Sequence, residues 1–108
     1  MSAKPHDGMI WAVDPASKLR DSQELALPFA VIKEGFDRGI WDALNARLGL
    51  LLDEYEGARI ENRSLEQFAN VLTELSEGVT PRTRATLTEL VDLAVALKTS
   101  GMDMWIAM

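Results

Sequence analysis

Chemistry in this chain has to be done almost entirely by oxygen. His6 is the only histidine and there is no cysteine, so disulfides, thiol nucleophiles and thiolate metal sites are excluded. A Ser-His-Asp relay needs a histidine held against its nucleophile. His6 instead lies in the leader Lys4-Pro5-His6-Asp7-Gly8, and residues 1–8 are expected to be flexible. Zinc needs three or four nitrogen or sulfur ligands, which one histidine cannot supply. Carboxylates are plentiful, and Asp53, Glu54 and Glu56 stand close together. No Asp-x-Asp-x-Asp-Gly calcium loop and no Glu-x-x-His di-iron motif accompanies them. The seven glycines, at 8, 35, 39, 49, 57, 78 and 101, never cluster into a phosphate loop. The expectation is a protein with no catalytic residues, no metal and no cofactor, hence not an enzyme.

What the carboxylates do have is position. Between Asp53 and Glu77 there are seven acids against Arg59 and Arg63, so this stretch carries −5 of the chain's net −6. A basic nucleic-acid-binding surface is excluded by that balance. A concentration of one sign of charge speeds encounter with an opposite partner. Asp53, Glu54, Glu56 and Glu61 are therefore the candidate docking residues for a basic protein, with Tyr55 as an aromatic anchor among them. The competing reading is a solvated acidic face that keeps the protein soluble.

The elements that must position these residues are predicted to be helices. Thirteen Ala and fifteen Leu outweigh eleven Val and Ile, and unbranched side chains lose less freedom in a helix. Leu87, Leu90, Val91, Ala94 and Leu97 share a helical face after Thr80-Pro81, a start signal, and before Gly101, a stop. Ser64-Leu65-Glu66-Gln67 matches a capping box, followed by Leu65, Phe68, Ala69, Leu72 and Leu75 on one face. Ile40, Trp41, Leu44, Leu48, Leu51, Leu52 and Tyr55 fall on a single arc. Pro28 interrupts the Leu25, Phe29, Ile32, Phe36 pattern, so a helix starting at Pro28 is preferred to a kinked one. The chain is thus expected to be a single all-α domain over residues 1–108. Its four helices would run over about Pro28–Phe36, Ile40–Ala58, Ser64–Glu77 and Pro81–Ser100.

Two short apolar pieces stand outside that scheme. Met9-Ile10-Trp11-Ala12-Val13 and Met104-Trp105-Ile106-Ala107-Met108 each carry a tryptophan. They are expected to cap the core, with one short strand at each terminus as an option. No apolar run has the length of a signal peptide or a membrane span, so a cytoplasmic protein with no membrane partner is expected. The leading functional expectation is a non-enzymatic, acidic inhibitor or immunity-type protein, bacterial in kind, that docks a basic toxin or nuclease. The alternative is a homo-oligomeric structural or regulatory helical protein, a homodimer using Trp11, Trp105 and the broad last helix.

Overall fold

The structure is a computed structural model that describes residues 7–17, 19–53 and 57–108. It corrects the all-α helical-bundle expectation. Four helices pack on a four-stranded antiparallel sheet of order β2-β1-β4-β3. The strands are β1 Gly8–Val13, β2 Arg20–Leu27, β3 Ala58–Ile60 and β4 Asp103–Ala107. The helices are α1 Phe29–Asp37, α2 Ile40–Leu48, α3 Leu65–Leu75 and α4 Pro81–Ser100.

The sheet arises because the two tryptophan-bearing pieces pair with each other. Met9 to Val13 runs in antiparallel register against Ala107 to Asp103, with Trp11 opposite Trp105. A two-stranded ribbon is marginal alone, and here each strand gains an outer neighbour and a layer of helices. β2 takes up Leu25, the first residue of the Leu25, Phe29, Ile32, Phe36 pattern. Leu25 and Leu27 then supply alternate inward side chains opposite Ile10 and Gly8. Pro28 sits at the start of α1 in extended conformation, as the preference for a start over a kink requires.

The expected helix Ile40–Ala58 ends ten residues early. Gly49 takes the left-handed conformation at φ +67 and closes α2 after Leu48. The Asn45 side chain then holds the returning chain, accepting from Leu52 N–H at 2.7 Å and donating to Leu52 O at 3.0 Å. Leu52 is buried and Leu51 is 76% exposed. Ala58 to Ile60, read as the helix end and its connection, is an edge strand on β4.

One hydrophobic core lies between the layers. Ile10, Ala12, Leu27, Ile60, Met104 and Ile106 from the sheet meet Trp41, Phe68, Leu72, Leu87, Leu90 and Leu97 from the helices. α4 touches α1, α3, β2 and β4, so the Leu87, Leu90, Ala94 and Leu97 part of its apolar face is used inside the domain, while Val95 stays 53% exposed. No described helix is long and apolar enough to cross a membrane.

Helix ends are satisfied from a distance. Phe29 N–H donates to the Asp7 carboxylate at 2.8 Å, and Gly8 opens β1. At the start of α4, the Thr80 N–H and hydroxyl and the Thr83 hydroxyl all donate to Glu34 of α1, at 2.8, 2.7 and 2.6 Å. At its end, Asn62 Nδ2 donates to Leu97 O and Met102 O. The Ser64 and Thr80 side chains make no cap bond to their own helices. The capping box is therefore present in sequence and unused in structure, and Gln67 points to Arg47 O instead.

Candidate functional site: the open face of the sheet

Alternation in a strand sends neighbouring side chains to opposite faces. The inward set is the core. The outward set is Met9, Trp11 and Val13 of β1 with Asp103, Trp105 and Ala107 of β4; none of these belongs to the core cluster, and Val13 and Asp103 are themselves buried. Trp11, Trp105, Met9 and Ala107 remain half-buried. The two indoles stack with centroids 6.2 Å apart and planes at 27°.

The register arranges this face in rows. The middle row reads Glu24, Trp11, Trp105, Arg59 across β2, β1, β4 and β3. The row beside it reads Arg20, Val13, Asp103, and on the other side Ala26, Met9, Ala107. The centre is thus apolar and the edges charged.

Each edge holds an ion pair. The β1–β2 register shifts between Trp11 and Val13. In a regular strand, residues four apart are separated by about 13 Å. Here the irregularity brings Arg20 back onto Glu24, where the two pair. The Arg20 guanidinium also lies over the Trp11 ring, 4.4 Å from its centroid. At the opposite edge Arg59 grips Asp103 with two nitrogens, its Nε at 2.8 Å. Asp103 is 3% exposed and also accepts from Asn62 N–H at 2.8 Å, so its buried charge is fully partnered.

Gly57 completes the surface. A Cβ on it would stand 2.4 Å from Trp105 Nε1, so the indole lies directly on this glycine's backbone. β3 begins at the next residue, Ala58.

Of the expected docking residues, the structure describes Asp53 and Glu61. Glu54, Tyr55 and Glu56 lie outside the described residues. Asp53 is half-buried and engaged with a neighbour. Glu61 is exposed and pairs with Arg63 at 2.8 Å. Trp11 and Trp105 had drawn attention as apolar oddities. Arg20, Glu24 and Asp103 had not: alternation around Trp105 points to Asp103 two residues away, while Arg20 and Glu24 join the tryptophans only through strand register.

A second surface feature is a depression of about 690 Å³ lined by Ala30, Lys33, Glu34, Asp37, Arg38 and Thr80. Hydrogen bonds from Thr83 and Thr80, with Arg38 nearby, pull the Glu34 carboxyl down to about 2. That carboxylate is already spent as a helix cap. Among the described residues no group of three acids or histidines could hold a metal ion.

Comparison with family models, with curated proteins and with solved structures gives no match for this chain. Its functional reading rests on the surface itself.

Proposed function

We propose that this chain is a non-enzymatic interaction protein that works as a homodimer through the open face of its sheet. One observation carries the reading: a stacked tryptophan pair stands on the strand face opposite the core, and neither residue belongs to the core cluster. Partly buried tryptophans flanked by charged residues are the composition of an interface hot spot. A second copy is the occupant that the charge favours. Arg20, Glu24, Arg59 and Asp103 cancel as two ion pairs, so the charges described on this face sum to zero on a chain of net charge −6. Two copies repel least when they approach through that face.

Sedimentation at micromolar concentration tests this. The chain is expected at twice its 12.0 kDa mass, and the Trp11→Ser, Trp105→Ser double variant at 12.0 kDa with its helical circular dichroism retained. A wild-type chain that sediments at 12.0 kDa throughout would overturn the reading.

A second reading keeps the basic partner, a toxin or nuclease, for the acidic segment. What favours it is that Asp53 and Glu61 sit on the connection around β3, not along a packed helix, beside the 76% exposed Leu51. Loops held by a rigid scaffold often carry binding. Reversal of Asp53, Glu54 and Glu56 to Lys is expected to slow association with such a partner at low salt. An unaltered rate would remove this reading.

A further inference from the structure

We infer that the dimer axis runs parallel to the strands, so that the β2 edge of each copy lies over the β3 edge of the other. The inference rests on the homodimer reading and adds the geometry of that interface.

Two sheets stacked face to face by a two-fold axis in their common plane have two simple arrangements. An axis along the strands exchanges left and right within each row and keeps the rows in place. Trp11 then lies over Trp105 of the partner subunit. Glu24 lies over Arg59 of the partner subunit. An axis across the strands keeps each strand over its own copy. Glu24 would then face a second glutamate and Arg59 a second arginine, because both stand in the middle row.

Charge decides between them. Only the first arrangement puts opposite signs together, and it does so at both edges at once. Arg20 pairs with Glu24 within one copy, and Arg59 pairs with Asp103 within the other. Bringing Glu24 beside Arg59 of the partner subunit joins these into a chain of alternating sign, four charges long, and symmetry builds it twice. Like charges placed face to face at an interface suppress the wrong orientation. Both arrangements keep the strands aligned within about 30°, the usual way two sheets pack their faces, so charge alone separates them. The pattern thus works as an orientation lock around an apolar centre.

Cysteine cross-linking reads the axis directly, because the natural chain has no cysteine. Glu24→Cys and Arg59→Cys chains are prepared separately and then mixed with a short bis-maleimide. The mixture is expected to give a covalent heterodimer. Glu24→Cys alone is expected to stay uncross-linked, since its two copies sit at opposite edges, about three strand spacings or ~14 Å apart laterally. Cross-linking of Glu24→Cys with itself, and not with Arg59→Cys, overturns the axis and leaves the dimer standing. A wild-type chain that never sediments above 12.0 kDa overturns dimer and axis together.

Arg59 supports buried Asp103, so its variant is checked for folding by circular dichroism. A second measurement stands without it. Glu24→Arg is expected to weaken self-association about tenfold or more, since it sets like charges opposite at both edges. Lys33→Glu, on the helical layer, shifts net charge by the same amount in the other direction and is expected to leave self-association within twofold. An unchanged dimer in Glu24→Arg overturns the inference, because with the axis across the strands one like-charge contact only replaces another.

Discussion

The two faces of the sheet are made from alternate residues of the same four strands, and they differ in what their apolar groups are for. Ile10, Ile60, Met104 and Ile106 face the helices and are 1% exposed or less. Trp11 and Trp105, one residue away in each strand, carry more apolar surface and stay only partly buried. Burial on one face and display on the other cannot be read from hydrophobicity, which ranks the displayed residues as highly as the buried ones. It follows from which face the helices cover. An apolar strip left outside the core, rimmed by charge, is what marks an interaction surface.

Truncation on the inner face should have the largest effect. Ile106→Ala and Leu90→Ala each empty a fully buried site and are expected to cost about 2–5 kcal/mol by denaturant titration. A loss below about 1 kcal/mol would erase the contrast between the faces. Asp103→Ala tests the seam between them. It removes the acceptor for Arg59 and for Asn62 N–H, and about 1–3 kcal/mol of stability should go with it.

Changes on the outer face should move association more than folding. Gly57→Ala must push the Trp105 indole away from the backbone it rests on. Its expected result is a weakened dimer with a melting temperature close to wild type, read by sedimentation and calorimetry together. A large fall in melting temperature with the dimer intact would assign Trp105 to the fold instead.

The smallest effect belongs to the helical layer and appears only in acid. Glu34 has its carboxyl held at about 2, below the ordinary 4.5, by the hydroxyls and N–H it accepts from. A lowered folded-state value means the contribution is complete above about 4.5 and is lost as pH falls toward 2. Glu34→Gln should therefore flatten the fall in stability between those limits. A variant with the same acid profile as wild type would show that this cap contributes nothing.

Helices with local signals were legible. α4 starts at Pro81 and stops at Gly101, and α1 begins just after Pro28, because proline and glycine act on their own backbone. The sheet was not, since its decisive contact joins Trp11 to Trp105 across almost the whole chain. Three-residue β3 is too short to show alternation, and β2 carries an irregularity that breaks it. The end of α2 escaped because an apolar arc continues past Leu48 while Gly49 and Asn45 turn the chain. Caps misled for a related reason: Glu34, Asp7 and Asn62 reach their helix ends from other elements, which no spacing rule records. As for the surface, the tryptophans were visible as residues, while their neighbours Arg20, Glu24 and Arg59 became meaningful only through register.

The central pairing of β1 with β4 also governs the order in which the molecule can assemble. The β1–β2 hairpin closes locally through a short turn in which Asp14 N–H donates to Leu19 O. The helices can dock as neighbours along the chain. The seam between residues 9 and 107 must instead close a loop of nearly the full described length. The logarithmic part of that closure costs about 4 kcal/mol of chain entropy, with no contact to repay it until the strands meet. Until then β1 presents an open edge bearing Ile10 and Trp11, the kind of edge that recruits foreign strands. Refolding should therefore be slower than that of a helical bundle of equal length. Its most aggregation-prone moment comes just before the last strand arrives.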